Sequence, residues 1–260
     1  MSVLDVDRIN VLNAERIKLM TTKSPMWCTV IALVVSIGIP VAMGAGLKSQ
    51  SDTGFVDPHD FTAVVTQSGA VQFGAILVMV MAALAVTTEY RFGVIRTTFQ
   101  AIPNRSVVIA GKALFLAVFA GVLGLVIALA AFYFGQAASG VTIPIADGDN
   151  IRIVFGVPIY FGLVAVLAVG VGTLIRQSAG AISLVLLWPL LLESTATAIP
   201  RVGKYIGEFG PFNNATFFLG QQDGGQFGFR WGPSGALVYF AAFVAVVFGA
   251  SIVAVNKRDA

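Results

Sequence analysis

Few side chains in this sequence of 260 residues could carry out chemistry, and they are scattered along the chain. The single histidine, His59, lies beside Asp57 and Asp60, but one histidine supplies too few ligands for a metal cluster. Cys28 is the one cysteine, so no internal disulfide can form. A phosphate-binding G-x-x-x-x-G-K-S/T loop, a C-x-x-C pair and an H-E-x-x-H motif are all missing. The sequence therefore predicts a protein that is not an enzyme, holds no metal and binds no cofactor directly.

Glu193 is one of the few ionisable residues within an apolar stretch, four residues after Pro189 in Ala179–Ile199. An ionised carboxylate against lipid is costly, and ionisable groups inside a membrane commonly mark a path for ions or substrate. Three interpretations stay open: Glu193 lines a substrate path, pairs with Arg201 or Lys204, or lies at the membrane interface. In each of them the carboxylate should face protein or water rather than lipid.

The overall composition is far from that of a soluble protein. Apolar residues make up 57% of the chain, charged residues only 11%, and the mean hydropathy is +0.87. Soluble domains carry about 25% charged residues, so a chain this poor in charge could not cover its surface in water. The 16 basic and 13 acidic residues leave a net charge of only +3, which excludes a nucleic-acid-binding protein. We therefore predict an all-α polytopic membrane protein.

Six apolar stretches are long enough to cross a membrane as helices. A spanning helix needs about 20 apolar residues because each backbone N–H and C=O must be paired inside the hydrocarbon. The predicted spans are Pro25–Gly46, Thr66–Thr87, Ala113–Gly135, Ile153–Ile175, Ala179–Ile199 and Pro233–Asn256. The third could begin nearer Val107, with Lys112 extending its ammonium to the headgroups. Residues 1–260 are thus predicted to form a single transmembrane domain, in which residues 25–256 are a six-helix membrane bundle.

The distribution of charge predicts how the spans are oriented. With both termini in the cytoplasm, eleven basic residues lie on the inner side and five on the outer side. The inner side then carries a net charge of about +6 and the outer side about −3, as the positive-inside rule expects. Asp5, Asp7 and Glu15 argue against a cleaved signal peptide at the first span. We predict a multi-pass protein of the cytoplasmic membrane with both termini inside.

Residues 1–24 are predicted to form a cytoplasmic interfacial helix. In Asp5–Met20 an apolar arc at helical spacing opposes the charges of Arg8, Glu15 and Lys18. The arc consists of Val6, Ile9, Leu12, Ile17, Leu19 and Met20. Such a helix would lie in the headgroup plane. Two interpretations stay open, a simple membrane anchor and a lever that contacts a cytosolic partner.

Residues 88–106, between the second and third spans, mix basic and apolar side chains. Gly93 supplies a break in the backbone, and Pro103 ends the helix that precedes it. A short helix of this kind could dock into a groove on another protein. The alternative is an ordinary positive loop that holds the membrane topology.

Residues 200–232 are predicted to lie at the outer membrane interface or to dip into it. Seven aromatic residues occur there before Trp231, which is more ring surface than an aqueous loop requires. Gly210 and Pro211 would separate two short helices within the segment.

Three stretches of the chain carry motifs that together indicate one family. Residues Glu89–Arg105 have the pattern E-Y-R-x-G-x-I-R-T-T-x-x-x-x-P-x-R, followed by Lys112. This pattern is similar to the cytoplasmic signature of the type-2 ABC transporter permeases, the membrane subunits of exporters. Glu15–Leu19 resembles the family's start of the first helix. Gly210–Ala215 is similar to the P-F-N stretch that precedes its last span. Ile95 departs from the family, which often has threonine there.

The resemblance implies a partner that hydrolyses ATP. Residues 88–106 would contain a coupling helix that docks into an ABC ATP-binding subunit. The residues implied in that contact are Glu89, Arg91, Gly93, Arg96, Pro103 and Arg105. The working unit would be two permease subunits, identical or different, on two ATP-binding subunits, which would hold the ATP and Mg²⁺.

The resemblance also implies an outer gate formed by the last two spans and residues 200–232. The candidate residues of the substrate path are Glu193, Pro189, Phe212 and Asn213. The scarcity of charge within the spans predicts a lipophilic or amphipathic cargo, such as a lipid, lipopeptide, or hydrophobic drug or antibiotic.

Two alternatives to an ABC exporter stay open. One is an ATP-independent secondary transporter or channel, although such proteins usually place ionisable groups near the midplane. The other is a membrane scaffold.

Overall fold

The computed structural model describes residues 14–18, 23–51, 57, 60–102, 104–197, 199, 203–222 and 228–257. Every regular element within these ranges is helical, which confirms the predicted all-α class. Besides a helical stretch at residues 14–18, the helices are α1 (Lys23–Ser51), α2 (Ala63–Arg91), α3 (Val94–Ala101), α4 (Arg105–Ser139), α5 (Asn150–Ile175), α6 (Ser178–Leu187), α7 (Glu193–Thr197), α8 (Gly203–Phe209), α9 (Pro211–Phe218) and α10 (Pro233–Lys257).

Among the described residues, five helices are long and apolar enough to cross a membrane: α1, α2, α4, α5 and α10. Their most apolar stretches have mean hydropathies between 2.2 and 2.8. In those stretches 67% of the residues of α5 and 61% of α2 are buried, against 22% in α1 and in α10. The chain is thus a multi-pass membrane protein in which α2 and α5 lie at the centre of the bundle.

The predicted fifth span is not confirmed as a spanning helix. Its apolar stretch, Ser178–Leu192, is shorter than the five helices described above. After the ten residues of α6 the chain passes through a π-helical turn, Trp188–Leu192, before the five residues of α7. Pro189 lies in that turn, where its missing N–H and its ring disfavour regular α-helical hydrogen bonding.

The other spans run close to their predicted positions but extend further. The third shows the largest difference, since α4 begins at Arg105 rather than Ala113. The side chain of Asn104 accepts a hydrogen bond from the Val107 amide at 3.4 Å and caps this helix. The earlier start places Lys112 two turns inside α4.

Small residues allow the membrane helices to approach each other closely. A Cβ added at Gly69 of α2 would lie 2.7 Å from the backbone oxygen of Ser36 in α1. A Cβ at Gly44 of α1 would lie 2.7 Å from the oxygen of Gly135 in α4. Such contacts are typical of helix packing in membranes, where tight van der Waals contact and not water exclusion drives association.

Several sequence predictions fall outside the described residues. The predicted amphipathic helix Asp5–Met20 is described only at residues 14–18. His59, Pro103 and Arg201 also lie outside the described ranges. The N-terminal interfacial helix therefore stays a prediction.

Candidate functional site

Four charged side chains, three of them buried, form an ion cluster at the end of the bundle where α2 ends. We call this the α3 end of the bundle. The Lys112 ammonium lies 2.5 Å from Glu15 Oε2 and 2.9 Å from Glu89 Oε1. The Lys18 ammonium lies 2.7 Å from Glu89 Oε1 and 3.2 Å from Glu15 Oε1. The cluster joins the N-terminal segment to α2 and α4, and its two acidic and two basic groups balance in charge.

Lys112 is the most buried member of the cluster, with 1% of its residue surface exposed. The sequence prediction that it extends to the headgroups is therefore wrong. The reason is tertiary: Glu15, 97 residues away in the chain, and Glu89 offer carboxylates inside the bundle. A buried ammonium requires such partners because, without them, no electrostatic attraction offsets the free-energy cost of its desolvation.

Lys18 closes the cluster on the side toward solvent. Partial burial lowers the pKa of Lys18, but its hydrogen bond to Glu89 and the charges of Glu89 and Glu15 outweigh that effect and raise it. Lys18 is therefore protonated at neutral pH, as a lysine in water is, and together with Lys112 it pairs with the two carboxylates.

Helix α3 follows α2 directly and projects one face away from the bundle. Gly93 precedes it with φ +72°, a left-handed conformation that other residues rarely adopt and that turns the chain between the two helices. Ile95 is 1% exposed and packs into the core, whereas Arg96, Thr97 and Gln100 are exposed. The helix is therefore amphipathic and is anchored on its apolar side.

The exposed face of this region combines cationic and apolar groups. Arg91, Phe92, Val94 and Arg96 are all exposed, and Phe92 exposes 72% of its surface. We call these four residues the α3 surface. The sequence prediction named Arg91 and Arg96 as contact residues and counted Phe92 and Val94 among the apolar groups that a docking helix here would present.

The remaining predicted coupling residues have internal contacts. Glu89 is 7% exposed and belongs to the ion cluster. The Arg105 guanidinium lies 5.5 Å from the centre of the Phe99 ring and donates a hydrogen bond to the Val255 oxygen at 3.3 Å. Both residues hold α3 and its flanks to the bundle and contribute little to the α3 surface.

Glu193 lies at the opposite end of the bundle, which we call the α9 end, and caps another helix. Its carboxylate accepts hydrogen bonds from the Phe212 amide at 3.1 Å and the Asn213 amide at 2.8 Å. The Trp188 indole N–H donates a third at 2.9 Å. A carboxylate is well suited to this place because the first N–H groups of α9 have no partner within their own helix. The predicted pairing with Lys204 is not observed.

A cavity of about 470 Å³ lies near Glu193, between α2, α5, the turn after α6 and α9. Pro189, Phe212 and Asn213, predicted as substrate-path residues, all line it. Glu193 does not line the cavity but accepts hydrogen bonds from the first amides of α9, the helix that does. Gln72 and Tyr160 also line it, and no sequence motif marked them because they come from otherwise apolar spans.

Two π-helical turns border this cavity. Ala70–Gly74 in α2 contributes three lining residues, and Trp188–Leu192 contributes two. A π-helical turn displaces the side chains that follow it and is often found at functional sites. The cavity thus coincides with the two places where the described helices leave α-helical geometry.

Gly210→Ala is expected to weaken the cap of α9. A Cβ at Gly210 would lie 2.6 Å from Glu193 Oε2 and would displace the carboxylate. Loss of a helix cap costs about 0.5–2 kcal/mol of unfolding free energy, measurable by thermal unfolding in detergent. Gly232→Ala is the matched control, since Gly232 also precedes a proline at a helix start but has no atom within 4 Å of an added Cβ. Equal stability of the two variants would contradict the steric argument.

No protein-family model matches this chain, and a comparison with curated proteins found no match. The similarity of the three sequence motifs to type-2 ABC permeases therefore stays a prediction. The function is argued below from side-chain chemistry and geometry together with that resemblance.

Proposed function

We propose that this chain is the permease subunit of an ATP-driven ABC exporter of the cytoplasmic membrane. The observation that supports this most strongly is the α3 surface, an exposed basic and apolar face on a short helix between two membrane helices. A helix of this kind fits a groove on a partner protein. The ion cluster beside it provides a rigid base against which a partner can push.

Helix α2 links the proposed docking site to the proposed substrate path. Its end carries Glu89 in the ion cluster, while Val71 lines the cavity. Eighteen residues of helix separate these two positions, which corresponds to about 27 Å. If a partner moved α3, α2 would shift as a rigid body and change the shape of the cavity at the α9 end of the bundle.

The energy for transport would come from a separate chain. This sequence has no phosphate-binding loop, so ATP and Mg²⁺ would be held by the partner. The proposed assembly has two permease subunits, identical or different, and two ATP-binding subunits. In it the chain crosses the membrane six times, with α6 to α7 as part of the fifth crossing and both termini in the cytoplasm.

A lipophilic or amphipathic cargo fits the cavity. Among the described residues that line it none is charged, and aromatic and aliphatic side chains predominate. A charged cargo would lose its hydration there without gaining a counter-charge.

Arg96→Glu is expected to weaken the docking of the ATP-binding partner and to lower the ATPase activity of the complex. Reversing an exposed charge on the α3 surface should weaken docking, and a loss of about 1.4 kcal/mol corresponds to roughly tenfold weaker association. The test is to co-express the chain with a neighbouring ATP-binding protein, purify the complex and measure its ATPase activity. Lys48→Glu is the matched control, because Lys48 is also exposed but lies in the last turn of α1, at the other end of the bundle.

The alternatives make different predictions in the same experiment. If no nucleotide-binding protein co-purifies and transport persists in ATP-free vesicles under an ion gradient, the chain is a secondary transporter and the proposal fails. If neither ATPase coupling nor transport is found, the scaffold alternative is favoured.

A further inference from the structure

Two amide side chains of cavity-lining residues share one hydrogen bond and leave one polar atom each without a hydrogen-bond partner among the described residues. Asn213 is 8% exposed, and its Oδ1 accepts a hydrogen bond from Gln222 Nε2 at 3.1 Å. Asn213 Nδ2 and Gln222 Oε1 are both buried and, within the described part of the chain, have no hydrogen-bond partner. Because the two amides share one bond, one donor and one acceptor remain unused on two residues that line the cavity.

The fold itself does not require these two free groups. The start of α9 is already satisfied by Glu193, which accepts from the Phe212 and Asn213 backbone amides. The neighbouring Asn214 is fully used in holding the outer segment, since its Nδ2 donates to the Glu208 and Gly210 oxygens. A buried polar group without a partner is unfavourable, and a ligand that pairs with it would remove that cost.

The rest of the cavity wall is mostly apolar, with Gln72, Thr197 and Thr216 as its other polar residues. Phe73, Ile76 and Met79 line it from α2, Tyr160 from α5 and Phe212 from α9. Its volume of about 470 Å³ lies within the range of pockets that hold small organic ligands. Glu193 does not line the cavity, and its carboxylate is engaged by the start of α9, so it offers no counter-ion to a cationic ligand.

We infer that this cavity binds an uncharged amphiphile whose hydroxyl or amide head group pairs with Asn213 Nδ2 and Gln222 Oε1. The head group supplies the acceptor and the donor that the amide pair lacks, and the acyl or ring portion lies along Phe73, Ile76 and Met79. That this ligand is the exported cargo rests on the proposed function, whereas its binding does not.

Photo-cross-linking of the full-length chain in lipid nanodiscs, without ATP or an ATP-binding partner, tests this inference. The probes are a diazirine-bearing monoacylglycerol and the same acyl chain on an anionic phosphoglycerol or a cationic trimethylammonium head. We expect the neutral probe to label peptides from residues 71–79 or 211–222, with about tenfold less labelling by either charged probe.

Three variants separate binding from structure. Asn213→Leu should reduce labelling about tenfold. It removes the unpaired Nδ2 donor and also the Oδ1 acceptor of Gln222 Nε2, so the unfolding temperature is measured beside it. Ile76→Trp should reduce labelling by filling the cavity while the amide pair remains intact. Asn256→Leu is the matched control, an exposed asparagine at the α3 end of α10, and should label like the unchanged chain.

Equal labelling by the three head groups, or equal labelling of Asn213→Leu and Asn256→Leu, would overturn the inference. Because the measurement needs no partner, its failure leaves the ATPase coupling of the proposed function untouched. Conversely, labelling as expected without ATPase coupling would keep the binding site and reject the exporter.

Discussion

Lys112→Met is expected to lower the free energy of unfolding by about 3–5 kcal/mol, the largest effect of any single substitution proposed for this chain. The ammonium lies 2.5 Å from Glu15 and 2.9 Å from Glu89 and is almost fully buried. Removing it leaves two carboxylates close together in a poorly solvated site. Lys18 alone, which is partly exposed, cannot neutralise both.

The measurement is the unfolding of the purified chain in mixed micelles, followed by helix content as denaturing detergent is added. Lys257→Met is the matched control, because Lys257 is an exposed lysine near the end of α10. Its replacement should change stability by less than about 1 kcal/mol. If Lys112→Met is no more destabilising than Lys257→Met, the ion cluster does not stabilise the fold.

A second set of variants distinguishes the unpaired charges from the loss of packing. Adding Glu15→Gln and Glu89→Gln to Lys112→Met removes the carboxylates that the single variant leaves unpaired. Most of the lost stability should then return, because neutral amides are far less costly to bury than ions. A triple variant as unstable as the single one would show that packing around Lys112 is what matters.

Glu193→Leu is expected to destabilise the α9 end by about 3 kcal/mol. The substitution leaves the Phe212 and Asn213 amides and the Trp188 indole without their acceptor. Hydrogen bonds to a charged group contribute about 1.5–3 kcal/mol, and buried donors that lose their acceptor are costly. The effect should appear as a lower unfolding temperature in detergent.

Glu193→Gln is the informative companion. It keeps the shape and one acceptor oxygen, so it should lose less stability than Glu193→Leu. If Glu193 only positions α9, cross-linking of the neutral probe in Glu193→Gln should match that of the unchanged chain. If Glu193→Gln reduced labelling while its unfolding temperature stayed close to that of the unchanged chain, the Glu193 carboxylate would instead be in contact with the ligand.

Much of the fold is predictable from local sequence. Apolar stretches of about 20 residues must form helices in a bilayer, because no water is present to satisfy the backbone. For this reason α1, α2, α4, α5 and α10 lie close to predicted spans. Gly93 likewise marks the turn before α3, because its left-handed φ is local backbone chemistry.

The candidate site is less predictable. Pro189, Phe212 and Asn213 were named from the sequence as substrate-path residues, and the structure shows that all three line one cavity. The amide pair of Asn213 and Gln222 had no signal in the sequence. Gln72 and Tyr160 had no distinguishing pattern, because a residue that lines a cavity inside a bundle looks like any other core position in the sequence. Only the packing of α2 against α5 and α9 brings them together.

Hydropathy and backbone chemistry along the chain were thus enough to establish a helical multi-pass membrane protein with a charged segment between two of its spans. The surroundings of its charges were decided by tertiary structure. Lys112 is buried because Glu15 reaches it from 97 residues away, and Glu193 caps α9 because the chain folds back 19 residues later. Periodicity and composition describe neighbours along a helix, whereas the cost of a buried charge depends on partners from other helices.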